Sequence, residues 1–231
     1  MTDAQWSREQ LRRDGYVVLR QAIPADWLDG LRTAFDANVV PSNQWPVPRD
    51  ATWRFSMLDL DAKVQAVCRL PTLLAAVGEL IGENFFLSQV EGREPLAGHG
   101  HQTLHRDMNL RRPGDTVHAM AFFDDYGPYN GATRLVPGTH RPTPDEPPYD
   151  FLDESRSQQL EGKAGDLLVF DSDLVHAGSL NPTGGRRRSL LFCYFAEVLH
   201  AAHMETAHLR NVRMKTTDRF TKEGSTVLKV A

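Results

Sequence analysis

From Asn84 onward the sequence breaks into short β-prone runs, at residues 85–90, 103–107, 117–123, 133–136, 167–170, 175–177 and 190–198, with glycine, proline or asparagine between them. Many short strands with turn residues in the gaps restrict this stretch to a sandwich, a jelly roll or a barrel. Upstream the hydrophobic period is different. An opening helix is expected to stop at Gly15, where glycine can take the left-handed conformation that ends helices, and Tyr16-Val17-Val18-Leu19 follows as a strand. Pro24 suits a first helical turn, and Trp27, Leu28, Leu31, Phe35 and Val39 recur at helical spacing through Val40. Two further amphipathic helices are expected over residues 61–70 and 71–81, the second closed by Gly82. The expected fold is therefore mainly β with N-terminal helices. We expect residues 1–231 to form a single domain, with 1–83 mainly helical, 84–200 the β core and 201–231 a C-terminal extension.

A chain of 231 residues with 41% hydrophobic content is long enough to bury one substantial core. Its formal charge of −4 gives no electrostatic reason to bind nucleic acid, despite the runs Arg111-Arg112 and Arg186-Arg187-Arg188. Cys68 and Cys193 belong to no metal-like or redox pair and are expected to be buried free thiols. No apolar leader and no apolar run long enough for a membrane span is present, so a soluble, cytoplasmic protein with no membrane partner is expected. Arginine outnumbers lysine 21 to 5, a bias that points to a GC-rich bacterial genome. Residues 141–157, with four prolines, form a long insertion whose length suits either a lid or a surface excursion.

His105-Arg106-Asp107 places an imidazole and a carboxylate two residues apart, on one face if the segment is a strand. The tripeptide is weak evidence by itself, and His203-Met204-Glu205 repeats its pattern. The residues downstream add order: His176 follows Asp107 by 176 − 107 = 69 positions, and Arg187 follows His176 by 187 − 176 = 11. Two histidines and one carboxylate on one face of an octahedral ion leave three positions open, the arrangement of non-haem Fe(II) oxygenases. 2-Oxoglutarate would fill two of them and O2 the third. The distal carboxylate of 2-oxoglutarate then needs a fixed cation, a task that suits the planar fork of Arg187, with Ser189 two residues on as a hydroxyl donor. Arg186 and Arg188 are expected to be solvated charges. A cupin-type hydrolase or isomerase using the same histidines leaves Arg187 without a task. The second alternative is a catalytically silent metabolite-binding barrel. A second metal cluster at His200, His203, Glu205 and His208 is not expected, because those residues read as a strand end and a solvent-facing tail.

The chain resembles the phytanoyl-CoA dioxygenase-like branch of the Fe(II)/2-oxoglutarate oxygenases. The resemblance rests on Gln102-Thr-Leu-His105-Arg-Asp107, on Asn130-Gly-Ala-Thr-Arg-Leu-Val-Pro-Gly-Thr-His140, on Gly165-Asp166, and on His176 followed by Asn181 and Arg187. It implies a double-stranded β-helix, a cupin-like jelly roll with helices packed on one sheet. It also implies His105, Asp107 and His176 as iron ligands and catalytic centre, Arg187 as the co-substrate anchor, and Thr133 and Gln89 as further co-substrate contacts. His140 is expected to be structural. Two departures are visible: Gly178 stands where relatives often carry serine, and Met120 near a frequent tryptophan. Retention of Asp107 disfavours halogenation, since halogenating relatives lose that carboxylate.

The implied activity is that of an Fe(II)- and 2-oxoglutarate-dependent dioxygenase using O2. It is expected to hydroxylate, or oxidatively cyclise or desaturate, a small soluble metabolite of bacterial natural-product biosynthesis. Substrate-facing residues are expected from loops at 44–55, 92–102, 109–115 and the proline-rich insertion, with Arg93, Asn109 and Trp53 as candidates. A monomer or homodimer is expected.

Overall fold

In the computed structural model the described residues are 3–47, 49–107, 113–143, 145–222 and 227–229, of which 3–7 and 227–229 are described by backbone alone. Helix α1 (Asp3–Asp14) ends at Gly15, whose φ of +79° is the left-handed value that only glycine adopts without strain. A Cβ there would also lie 2.6 Å from the His140 ring, so helix end and barrel meet at this residue. Strand β1 (Tyr16–Leu19) follows, and α2 (Leu28–Ala37) enters through a short 3-10 turn over Ala25–Trp27. The helix stops three residues before the expected Val40. Val39 and Val40 instead form β2 (Val39–Val40), paired with the unexpected β3 (Trp53–Ser56), as suits two consecutive β-branched residues.

Helix α3 (Ala62–Val67) is capped by Asp61, whose carboxylate accepts from the backbone N–H groups of Lys63 and Val64 at 2.9 Å each. Helix α4 (Pro71–Ile81) has proline in its first turn and the left-handed Gly82 just past its end, as the sequence implies. Its buried face, including Leu73, Leu74, Val77 and Leu80, lies on one side of the main sheet.

That sheet is antiparallel throughout. Its strands beyond β1 and β3 are β4 (Phe85–Pro95), β5 (Thr116–Phe122), β8 (Leu167–Asp171), β10 (Ser189–Ala196), β11 (Asp218–Phe220) and β12 (Val227–Lys229). The order is β1-β8-β5-β10-β4-β11-β12, with β3 also on β4 and β2 on β3. A second, three-stranded sheet orders β7 (Gln158–Gln159), β6 (Arg134–Leu135) and β9 (His176–Ala177) as β7-β6-β9. Two antiparallel sheets with helices on one outer face make the double-stranded β-helix, a distorted jelly roll.

Both faces of the central strands are covered, and every residue of β5 and β8 is buried. Alternation along β5 decides which side each residue serves. Val117, Ala119 and Ala121 meet the helices, whereas Met120 and Phe122 join Phe170, Leu135 and Leu191 between the sheets. The expected strand at 103–107 is not one: His105 alone bridges to His176, and its neighbours are irregular. Among residues 201–231 the expected solvent-facing tail is replaced at its start by α5 (His200–Thr206), in which His203 is buried against Phe86 and Phe195.

Candidate active site

The segment Asn130–His140 does most to place the site. Gly131 and Gly138 turn the chain with φ of +83° and +81°, and between them β6 pairs antiparallel with β9, setting Leu135 opposite His176. The N–H of Val175 donates to Thr139 Oγ1 at 2.9 Å, and Thr139 Oγ1 donates to the Val136 carbonyl at 2.8 Å. On its other side His176 exchanges both backbone hydrogen bonds with His105, at 2.9 Å each. His176 is thus fixed between two chain segments.

The side chains converge accordingly. His105, Asp107 and His176 bring one ligand atom each to within 4.8 Å of one another, and they are the one such group of three among the described residues. Nε2 of His105 lies 3.5 Å from Asp107 Oδ1, and Nε2 of His176 lies 3.3 Å from Asp107 Oδ2. Each ring's Nδ1 faces a carbonyl oxygen at 2.8 Å, that of Thr103 for His105 and that of Leu174 for His176. A carbonyl only accepts, so Nδ1 carries the proton and each Nε2 presents a lone pair to the common centre. Burial would raise the Asp107 carboxyl, but the imidazoles of His118, His105 and His176 outweigh it and hold the group well below the usual carboxylate range. The donor set, two imidazole nitrogens and a carboxylate with oriented tautomers, fits a divalent transition metal.

These three residues line a cavity of about 70 Å³ together with Trp53, Arg93, Gln102, Met120, Thr133, Gly178 and Arg187. Arg187 is 1% exposed and is the largest fully buried side chain among the described residues. Its Nη1 donates to the Tyr126 hydroxyl, while Nε and Nη2 have no partner. The guanidinium lies 4.8 Å from the centroid of the Tyr126 ring and 5.2 Å from that of Trp53. Two cation–π contacts return roughly 1–4 kcal/mol together, less than the several kcal/mol that desolvating a cation costs. The unmatched donors therefore fit an anionic group held in the cavity.

Thr133 also lines the cavity, its Oγ1 3.3 Å from the Tyr126 hydroxyl. Ser189 is elsewhere: it is fully buried and donates to the Arg93 carbonyl at 3.0 Å. Gln89 is also outside, its amide donating to Glu91 Oε2 at 3.3 Å beside a separate crevice shared with Trp45 and Arg210. Arg93 and Trp53 face the cavity from strands β4 and β3 and not from loops, with Arg93 Nε held by Glu91 Oε1 at 2.5 Å. Asn109 and the Arg111-Arg112 run lie outside the described residues. The described residues of 141–157 contribute nothing to this cavity's lining; several of them border a second hollow of about 430 Å³ with Arg106 and Thr139.

The flanking arginines differ in part from expectation. Arg186 pairs with Asp36 at 2.6 Å and with Glu94 while remaining exposed as expected, whereas Arg188 pairs with Asp36 and Asp124 at 2.7 and 2.8 Å and is largely covered; both clamp neighbouring segments. Gly178 has a local reason. A Cβ there would lie 2.6 Å from the Gly100 carbonyl and 2.9 Å from Gln102 Oε1, which accepts the Gly178 N–H at 2.9 Å. His140 is structural: it packs on Gly15, and burial together with Arg141 pulls its ring down to about 4. Two residues went unmarked in the sequence, Tyr126 beside Arg187 and His118 beside Asp107. His118 carried a signal, being a polar residue in an otherwise apolar strand two places from Met120.

Comparison with known proteins gives a consistent picture. The family description for phytanoyl-CoA dioxygenase (PhyH) matches residues 11–189. Dioxygenase af480 of Aspergillus fumigatus is 28% identical over 160 residues, covering 65% of this chain and 48% of its own length. Ectoine dioxygenase of Nocardia farcinica is 26% identical over 176 residues, covering 62% and 58%. The chain spans about half or less of the length of the first curated relatives it matches. Among solved structures, the α-ketoglutarate-dependent epimerase SnoN from nogalamycin biosynthesis superposes with a TM-score of 0.67 at 18% identity, covering 84% of this chain and 83% of SnoN. EctD from S. alaskensis, with bound Fe, gives 0.66 at 21% identity, covering 85% and 77%. At such identities the likeness concerns the fold.

Proposed function

Since this chain belongs to the phytanoyl-CoA dioxygenase family, we propose that it is a non-haem Fe(II)- and 2-oxoglutarate-dependent dioxygenase acting on a small-molecule substrate. The observation that carries this is the buried guanidinium of Arg187, with two unmatched donors, in the wall of the cavity that His105, Asp107 and His176 line. A hydrolase built on the same triad gives that cation nothing to bind.

In this reading His105 and His176 hold iron through Nε2 and Asp107 through its carboxylate, while their Nδ1–H bonds to Leu174 and Thr103 carbonyls keep the rings oriented. Arg187 binds the distal carboxylate of 2-oxoglutarate, and Tyr126 holds the guanidinium from one side with Thr133 behind it. When bound, iron and 2-oxoglutarate supply the activation of O2 that oxidises a substrate C–H bond, with succinate and carbon dioxide as co-products. The chain's own contribution is placement and exclusion of water. Arg93 and Trp53, on the open side of the cavity, are the substrate contacts we favour, with Asn109 as a third; Ser189 and Gln89 act by holding Arg93 and Glu91. A natural-product metabolite as substrate is supported by relatives such as SnoN, whose own setting is nogalamycin biosynthesis. Among the described residues no helix is long and apolar enough to cross a membrane.

Anaerobic addition of Fe(II) to protein with 2-oxoglutarate is expected to develop a weak visible charge-transfer band, absent in His176→Ala. No band in the wild-type protein, or an undiminished one in the variant, overturns the assignment.

A further inference from the structure

His118 sits in the middle of β5 at 5% exposure, in a strand whose other residues are apolar apart from Thr116. Alternation turns it to the same face as Met120, into the space between the sheets. There its Nδ1 lies 2.7 Å from Asp107 Oδ2, closer than either His105 or His176 comes to that carboxylate. It does not join the three groups that could share a metal ion. Its ring packs edge-on against Phe170 at 5.5 Å between centroids, and across the β5–β10 pair it faces Cys193, whose thiol reaches it from the other side. The ring thus has Phe170 against it, Asp107 beside Nδ1 and Cys193 as its neighbour on the next strand.

Asp107 needs such a partner. Its backbone is irregular, held by one long N–H bond of 3.3 Å to the Ser172 carbonyl. His105 and Arg106 anchor the chain up to Asp107, but the carboxylate itself keeps its side-chain torsions unless a group from the rigid sheet restrains it. His105 and His176 cannot do this once their Nε2 atoms are committed to a metal. Among the described residues His118 makes the short contact from the rigid sheet, with Arg93 of β4 also on that side.

We propose that His118 is a positioning residue for the metal site, holding the Asp107 carboxylate from β5 so that it meets the metal in one orientation. The inference rests on the iron assignment above. The approach is off the ring N–H axis, so it restrains the carboxylate on one side and leaves its second oxygen for the metal. Cys193 acts behind it by fixing the ring.

The test uses the full chain with Fe(II), and with Co(II) as a redox-silent probe, both titrated anaerobically. His118→Leu is expected to weaken metal binding by roughly 10–100-fold, the usual effect of removing a group that orients a ligand. With saturating Fe(II) and 2-oxoglutarate its charge-transfer band is expected at longer wavelength, because a carboxylate without the polar imidazole edge beside Oδ2 pushes more charge onto the metal. His118→Gln, which keeps an N–H donor, is expected to restore affinity and band position. Wild-type affinity and band position in His118→Leu overturn the proposal while leaving the iron site standing. Equal loss in the Leu and Gln variants also overturns it, by showing that only packing is at stake. Absence of metal binding in the wild-type chain overturns the iron assignment, and this inference with it. If His118→Leu fails to fold, His118→Gln and His118→Asn carry the comparison, and metal affinity that does not follow the reach of the amide donor counts against the role.

Discussion

At the scale of single residues the informative feature is a mismatch. Arg187 is a buried cation whose nearest supports are two aromatic rings and a phenol, an arrangement that costs stability in the absence of an anionic ligand. Arg187→Met is therefore expected to raise the melting temperature of the ligand-free protein, by an amount corresponding to roughly 1–4 kcal/mol. The same change is expected to weaken 2-oxoglutarate binding about 100-fold or more, since charge-assisted bonds contribute ~1.5–3 kcal/mol each. Thermal melts with and without 2-oxoglutarate check both: the ligand should stabilise the wild-type chain and leave the variant unmoved. That His105, Asp107, His176 and Arg187 come together was legible because their order along the chain matches the family pattern the sequence resembles, and the structure does gather all four around one cavity. His118 and Tyr126 were not legible, because each meets its partner across strands or loops, where sequence distance carries no information. Ser189 shows the limit of alternation: the period gave its face correctly, but not that a neighbouring strand's carbonyl would take its hydroxyl.

At the scale of elements, turns were easier to foresee than short strands. Gly15, Gly82, Gly131 and Gly138 all stand where the chain takes a left-handed conformation, and for Gly15 and Gly82 the helical periods they close announce it in the sequence. Strands β3 and β11, by contrast, are WRFS and DRF, too short and too mixed to show a period; both become strands because the edge of β4 offers them partners. The end of β9 is a case of close approach between elements. Because the Gly178 position touches the Gly100 carbonyl and Gln102, Gly178→Ser is expected to force the 100–102 segment outward at a cost of ~1–3 kcal/mol. Urea denaturation of the variant checks the cost. A midpoint equal to that of the wild-type protein would show that the segment yields freely.

At the scale of the whole molecule, acid sensitivity follows from where the fold has buried its histidines. His140 lies against Gly15 at the junction of helix and barrel, and His203 lies under Phe86 and Phe195 with Arg210 donating to its Nδ1 at 2.7 Å. Burial, reinforced by Arg141 in one case and by Arg210 and His200 in the other, pulls each ring down to about 4 from 6.5. The unfolded chain then binds more protons than the folded one between those values, so stability falls as pH drops from 6.5 towards 4. Asp171 acts in the opposite sense. Burial pushes it up to about 6 from 3.8, so the folded chain binds the extra proton and this residue favours folding at the acid end of that range. Asp173, also raised by burial, acts in the same sense as Asp171. Asp124 and Asp166, held low despite burial by Arg188 and by the Lys163 and Gln21 N–H groups, side with the histidines, and the balance on acidification is a loss. Melting temperature measured from pH 7 to pH 4 should decline, and His203→Phe should flatten the decline; an unchanged slope would place the sensitivity elsewhere.

The bridge between His105 and His176 joins segments that are 71 positions apart, 176 − 105, at the seam where the small sheet closes on the rest. Until that seam has shut, the chain offers a metal ion only scattered imidazoles and carboxylates. Under the iron assignment proposed above, tight capture of the ion waits for that closure, because long-range closure carries its entropic cost before it yields any contact. Under the same assignment a redox-active ion is kept off polypeptide that is still searching for its shape, and its arrival reports that the search is over.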